Sequence, residues 1–524
     1  MSPQTKKVIR IALFIDILIL GILLRVWKFG ALPPGLESDE ASIAADASSL
    51  LHFGMDRNGM TYPIFFIAWG SGQNALYGYL LIPFLALFGM SATVIRLPML
   101  LSSIATLPLV YLLGREIEGD DLGLLAMFFV AISPWNIILS HWALESNILP
   151  FVFLVGFVLL LKAIRQNWYF VAACFFFGLC LYAYGTAYAF MPVFIAAAGA
   201  WLLHKRQLRI GPVLAGAFVL FIVALPMMRF VYINTFQLST SRYFGITIPR
   251  LPSLPRYEGI TALFNKNVLG LIWENIVSLV LLLVTQTDHN VINTVEPYGY
   301  FYLITFPLIA LGVWQLARTA HEKATSARGL VLIWIAASIF TALFENVNVN
   351  RINIIFIPLI TCAAVCIYRF NKKYHWAIPV SVVALLVACG LFMHDFQGER
   401  YLSNNRVNFF VGLVPAIQYA TANSQGEICI STQYHGVNPE PEVYVLVAEP
   451  LNPAGYLPSI QYTEEIPGFR QALAIDRYSL GLENCKGGAG TAYIFNYQDD
   501  ISLDLNAYTQ TRFDDYVVYL PKKN

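Results

Sequence analysis

The chain has 524 residues, 57% of them hydrophobic and only 12% charged, with a formal net charge of +1. A soluble domain carries roughly 25% charged residues, so this composition and a mean hydropathy of +0.60 exclude an ordinary soluble enzyme and indicate a polytopic membrane protein. The near-zero charge argues against a nucleic-acid partner, which would need a basic face.

Residues 11–27 are almost entirely apolar and follow Lys6, Lys7 and Arg10. No small-residue cleavage site comes after them, so they read as a retained span with a cytoplasmic N-terminus. The chain then leaves the membrane as Leu32-Pro-Pro-Gly-Leu-Glu-Ser-Asp-Glu40 and opens a helix pattern through Ala41, Ile43, Ala44, Ala47 and Leu50. Asp39 and Glu40 therefore stand at the membrane surface. A carboxylate there suits general-base chemistry on a substrate with its tail in lipid and its head in water. The same residues suit a helix start, with Ser38 as cap and two acids at the positive end of the dipole. The two roles are compatible. Glu40 could share the base's work, orient a substrate or give an oxygen ligand to a divalent cation, Mg or Mn. Asp46 reads as a helix-surface residue.

Three apolar segments follow, at 76–90, 97–114 and 122–139. As three full crossings they would leave 140–147 in the cytoplasm, against the parity of the later charges, so one is expected to be re-entrant or split. Arg96 opens the second as a flanking residue that anchors to lipid phosphate. His141 and Glu145 stand four apart, and on a helix would share a face. They either orient groups in a polar cavity within the membrane or form an interface pair facing headgroups.

The clusters Lys162/Arg165, His204–Arg209, Arg318–Arg328 and Arg369–Lys373 read as cytoplasmic. The outer breaks are 29–75, 229–270, 285–299 and 345–353. The second holds Arg229, Arg242, Arg250 and Arg256. The third holds Asp288, His289 and Glu296, as a lid or substrate loop or an exposed turn. The fourth holds Asn350 and Arg351. An outer arginine runs against the positive-inside bias, so Arg351 points to an anionic partner: a phosphate, bound bidentately, or an internal carboxylate such as Glu345. Residues 271–284 are expected to lie along or dip into the membrane.

Spans at 300–317, 329–344, 354–369 and 376–393 leave the C-terminus outside. Near residue 395 the composition changes: 15 of the 32 acidic residues but only 8 of the 33 basic ones fall in 395–524. The expectation is a membrane domain at 1–394 with about 11–13 spans, including the first external loop 29–75, and a soluble extracytoplasmic α/β domain at 395–524. In that domain 427–432, 443–447, 492–495 and 516–520 read as strands, and 409–422 as helix-like. No G-x-G-x-x-G or P-loop occurs there. Cys429 and Cys485 can form a disulfide if the domain faces an oxidising compartment. Cys174, Cys180, Cys362, Cys366 and Cys389 read as apolar packing residues.

Pro33-Pro-Gly-Leu-x-x-Asp-Glu40 resembles the first external loop of the GT-C membrane glycosyltransferases that use a phospholipid-carried sugar, the protein O-mannosyltransferases and the aminoarabinose transferase of lipid A. Further motifs resemble that family in order: Gly54-Met-Asp-x-x-Gly and Tyr62-Pro, Leu87-Phe-Gly-x-Ser-x-x-x-x-Arg96-Leu-Pro, Ser133-Pro-Trp, Ser140-His-Trp, Asp288-x-Asn290, Phe306-Pro-Leu-Ile-Ala-Leu-Gly312 and Asn350-Arg351-Ile. Where many relatives carry Ser-Arg, this chain has Ser140-His141.

The resemblance implies an all-α GT-C membrane domain, a polyprenyl-phosphate sugar donor, an acceptor bound outside (lipid, glycan or protein) and an acidic base in the first loop. That role falls to Asp39, with Glu40 beside it. The expected activity is inverting glycosyl transfer at the outer face of a bacterial cytoplasmic membrane, with Arg351 and Arg229 offsetting phosphate charge. One rival is a flippase or transporter of a lipid-linked glycan, which would place polar residues within spans and often show internal repeats. Another is a ligase or polymerase of whole glycans, with a pyrophosphate-linked donor.

Overall fold

The computed structural model describes residues 2–70, 72–252, 267–320, 326–432, 440–466, 469–488, 490–499 and 503–522. Arg256 and part of the 318–328 cluster lie outside the described residues. The chain forms two compact units. One comprises Met1–Phe29, Met99–Met228 and Tyr257–Tyr401; the other Gly30–Pro98, Arg229–Arg256 and Leu402–Asn524.

The chain opens with α1 (Pro3–Val26), α2 (Ser38–Phe53), α3 (Leu76–Phe88), α4 (Ala92–Glu118), α5 (Asp120–Ala131) and α6 (Pro134–Ser140). Among the described residues seven helices are long and apolar enough to cross a membrane, and eight segments are if the bent pair α5–α6 counts as one. Four more apolar helices run 10–17 residues, α3 among them. With 13 residues α3 falls short of the ~20 that a bilayer requires.

Ion pairs in the first unit fix one end of its helices. Arg10 bonds Asp121 at 2.7 Å, Arg165 meets Glu116 at 2.9 Å, and Arg328, Arg369 and Lys372 converge on Glu118. The start of α1 and the end of α4 thus share an end. α5 and α6 then lead away from it, bent by 60° between them, which puts 140–147 at the opposite end. Counted without α3, the crossings agree with the parity of the later charges.

The bend has a cause. Pro134 lacks the N–H that would continue α5, which leaves Ala131 O without a helical partner and Val130 O with a long, 3.3 Å bond from Ser133 N. Arg25, fully buried in α1, supplies them: it donates to Ala131 O at 2.9 Å and Val130 O at 3.0 Å, and also to Asn136 Oδ1 at 2.6 Å and Ser103 Oγ at 2.8 Å. In hydrocarbon such groups have no water to turn to.

The helix Val268–Thr285 is long and apolar enough to cross. Yet Asn275 in its middle donates to Leu343 O, and Asp288, just beyond its end, accepts from Val349 N at 3.1 Å. Both tie it to the short stretch 343–349.

The second unit is mixed. Its small hairpins are β1 (Phe65–Phe66) with β2 (Gln73–Asn74) and β3 (Ser241–Tyr243) with β4 (Ile246–Ile248). Its main sheet contains β5 (Ile428–Ile430), β6 (Gln461–Ile466), β7 (Phe469–Ile475), β8 (Tyr478–Leu480), β9 (Ala492–Asn496), β10 (Tyr508–Phe513) and β11 (Tyr516–Pro521), in the order β10-β11-β9-β5-β8-β7-β6. β5 runs parallel to both neighbours and is buried throughout, as a continuous apolar strand inside a sheet should be. Cys429 on β5 is joined by a disulfide to Cys485.

One expected strand is a helix. Residues 443–447 belong to Pro441–Ala448, in which Pro441 through Val447 are all buried. A short all-apolar run fits a buried helix as well as a buried strand, and Pro441 in the first turn decides for helix. This helix packs on α2, and α2 also packs on α3.

Candidate active site at the start of the first-loop helix

α2 begins with a double lock. Glu37, not Ser38, is its cap: the Glu37 carboxylate accepts from Asp39 N at 2.9 Å, and Glu40 Oε2 accepts from Glu37 N at 3.3 Å. This reciprocal capping box satisfies two otherwise orphaned donors. Glu40 is fully buried and held by Arg96, Nε to Oε1 at 2.8 Å and Nη2 to Oε2 at 2.7 Å. Arg96 also donates to Pro33 O at 2.8 Å and Gly35 O at 2.9 Å, and its guanidinium lies 5.6 Å from the Phe409 ring centre. Arg96 thus sits in the interior of its unit rather than at lipid phosphate. Gly35 has φ +79°, and a Cβ there would strike the Phe409 carbonyl, so the turn demands glycine.

Asp39, between these two engaged glutamates, is half-buried. Gln73 donates to its carbonyl at 3.3 Å and accepts from Ser42 Oγ at 2.8 Å. Burial, with the Asp39 and Glu40 charges adding to it, holds the Glu37 carboxyl well above the usual range.

Asp46 is buried rather than on the helix surface: Oδ1 accepts from Arg57 N at 3.1 Å, and Oδ2 lies 3.7 Å from Arg57 Nη1. Burial raises the Asp46 carboxyl and, more strongly, that of Asp56, whose Oδ1 accepts from Asn58 N and Met60 N. Sequence reasoning missed Arg57 altogether. The available signal was a lone arginine among the acidic residues of the loop 29–75.

The remaining candidates divide between the units. Arg229, in the second, stands over the Tyr232 ring at 5.2 Å, and its Nε is buried with no hydrogen-bond partner among the described residues. The others are in the first. His141 ends α6 as its C-cap and Glu145 opens a separate 3-10 turn, Glu145–Ile148, so the two share no helix face. The His141 ring packs edge-on against Phe29 and Phe396. Glu145, Glu345 and Arg351 all act electrostatically on the Tyr184 hydroxyl, and Arg351 Nη1 donates to Asn346 O at 3.2 Å. Burial pushes Glu345 up to about 7, against the pull of Arg351. Asn350 and Arg351 form the short helix Val349–Ile352, capped by Asn348. Asp288 accepts from Asn290 N and Val349 N, while His289 is exposed beside Glu296.

The donors do not fit a divalent cation. Both Glu40 oxygens belong to Arg96, and among the described residues no group of three or more His, Cys, Asp or Glu is placed to hold a metal ion.

The model of the dolichyl-phosphate-mannose-protein mannosyltransferase family matches residues 74–230. ArnT from Cupriavidus metallidurans matches in structure over 99% of this chain and 98% of its own, with a TM-score of 0.58 at 12% identity in the apo state. Bound to undecaprenyl phosphate, the same protein gives 0.57 at 11%. The fold is that of the GT-C membrane glycosyltransferases. The Archaeoglobus fulgidus oligosaccharyltransferase, solved with a tethered acceptor peptide, matches 86% of this chain with a TM-score of 0.54 at 12% identity. The present chain covers 65% of that enzyme's length. No curated protein matches the chain in sequence. In this fold α2 is the helix that follows the first apolar helix, with Asp39 in its first turn.

Proposed function

We propose that this protein transfers a sugar from a polyprenyl-phosphate donor to an extracytoplasmic acceptor, with inversion, at the outer face of a bacterial cytoplasmic membrane. Asp39 is the general base. It takes the proton from the acceptor hydroxyl or amine as that atom attacks the anomeric carbon. The bond from that carbon to the phosphate oxygen breaks, and polyprenyl phosphate leaves with the electron pair. Back-side attack inverts the anomeric centre.

The observation that carries this reading is where Asp39 stands: in the first turn of α2, on a start fixed by the Glu37–Glu40 capping box and by Arg96. Glu37 caps α2 and Glu40 is spent on Arg96. Asp39 stays half-exposed on a rigid turn, where a base must be held within reach of the proton it removes. Arg229, with its unspent Nε, is better suited to the leaving phosphate than Arg351, which donates to Asn346 O and offsets Glu345. A cation there would stabilise the charge that grows on the phosphate. The likeness to ArnT, solved with undecaprenyl phosphate, supports the donor class.

The test is release of polyprenyl phosphate from a panel of polyprenyl-phosphate monosaccharides, with host membrane extract as the acceptor source. D39N should lower release by at least about 100-fold while unfolding at the wild-type temperature. Unchanged release by D39N would remove Asp39 from the mechanism. Release of pyrophosphate-linked carrier instead would favour a whole-glycan ligase.

A further inference from the structure

The hairpin β3–β4 ends in an exposed apolar tip. Tyr243 pairs with Ile246, so the turn between them is the two residues Phe244 and Gly245. Both have positive φ, +50° and +82°, the pattern of a type I′ turn, which favours Asn-Gly. A phenylalanine there strains the backbone, and its side chain is fully exposed, at 105%. Tyr243 and Ile246, opposite each other and so on one face, are exposed as well. An aromatic kept where both the turn and water disfavour it points to a partner.

The tip is fixed to the end of a helix that can cross the membrane. Ile210–Thr235 is long and apolar enough to do so. At ~1.5 Å per residue its 26 residues span about 39 Å, more than the ~30 Å hydrocarbon core, so its last turn reaches the headgroups. Tyr232 and Phe236 are exposed at that end. Asn234, buried between them, ties the helix end to the residues after β4: it donates to Pro249 O at 3.0 Å and accepts from Leu251 N at 2.8 Å. Thr247 on β4 is pinned in turn, Oγ1 to Thr61 O at 2.7 Å and N to Tyr62 O at 3.3 Å. The exposed apolar surface of the helix end is thus followed by a clamped hairpin with an apolar tip. Arg242 and Arg250 stand exposed beside it.

We propose that the β3–β4 tip is an interfacial anchor that dips between lipid headgroups beside the end of this helix. Phe244, Tyr243 and Ile246 enter the boundary between headgroups and acyl chains, where aromatic rings are favoured. Arg242 and Arg250 meet lipid phosphates. A lipid surface answers the rings and the cations together, and it is the surface to which Tyr232 and Phe236 already lead. The hairpin and α2 belong to one compact unit, so the anchor holds that unit on the bilayer.

The experiment places a nitrobenzoxadiazole label on F244C in the full chain, held in nanodiscs of phosphatidylethanolamine and phosphatidylglycerol. The native cysteines are buried or joined in the disulfide, so the label goes to the tip. Brominated acyl chains should quench it and aqueous iodide should not. A label on Q510C, exposed on β10 of the same unit, should show the reverse. With the label moved to I246C, adding F244N should lessen the quenching by brominated lipid, because asparagine suits the turn but carries no ring. F244N itself should unfold no earlier than wild type. Quenching of the F244C label by iodide and not by brominated lipid overturns the anchor. Quenching by neither overturns it as well, since the tip would then be covered by protein. An I246C signal that F244N leaves unchanged also overturns it, since Phe244 would not be what holds the hairpin in the bilayer. None of these readouts requires turnover.

Discussion

At the residue scale, the pair Glu40–Arg96 holds the turn of α2 that carries Asp39. Both side chains are fully buried, and such a pair adds little when intact but costs about 3–5 kcal/mol when one partner is removed, because the other charge is left unpaired. R96M should therefore lower stability by roughly that amount, since it also strips donors from Pro33 O and Gly35 O. The double variant E40Q/R96M should recover part of the loss. Thermal unfolding in detergent measures both, and a double variant no better than R96M would show that the two carbonyls, not the charge, dominate. The position of Asp39 was legible in the sequence, because prolines, a glycine and acids before an apolar helix have few structural meanings. The use of Glu40 was not. Its partner lies 56 residues away, and no local pattern distinguishes an arginine at a helix start that meets lipid from one that turns inward.

At the element scale, the break between α5 and α6 depends on a side chain from a third helix. Arg25 serves four acceptors outside its own helix with a planar fork of donors, and a lysine ammonium cannot reproduce that geometry. R25M should destabilise the protein by at least about 2 kcal/mol, the cost of leaving buried carbonyls unpaired, and R25K should rescue only a minor part. Denaturant titration of the detergent-held protein checks this; a full rescue by lysine would mean that charge alone suffices. Helices such as Phe356–Lys373 and Ala377–Phe396 were legible because lipid demands long apolar runs. The 60° bend and the short α3 were not, since an apolar run says nothing of where its axis turns. Residues 443–447 failed for a related reason: without polar residues there is no period to read, and only Pro441 marked the helix.

At the scale of the whole molecule, the second unit is assembled from 30–98, 229–256 and 402–524, so the loop after α1 folds together with the C-terminal residues. The composition change near residue 395 located the C-terminal sheet but could not reveal that association, which arises from non-local pairs such as Tyr456 Oη donating to Arg57 O. The unit also concentrates buried carboxylates. Burial pushes Glu442 up to about 7 from 4.5 and raises Asp46 and Asp56 as well. A carboxyl whose folded pKa lies above its unfolded one binds its proton more tightly when folded. Its stabilising contribution is therefore complete below the unfolded value and is lost as the pH climbs through the folded one. For Glu442 that window runs from 4.5 to about 7, and Asp56 acts in the same direction. The unfolding temperature of the second unit should accordingly fall between pH 5 and pH 8, and E442Q and D56N should each flatten the slope, D56N more. Differential scanning fluorimetry across that range, on wild type and both variants, reads the result directly. A wild-type slope of the opposite sign would mean that these carboxyls meet water or a cation when folded, and that the unit is held by their charge rather than by their burial.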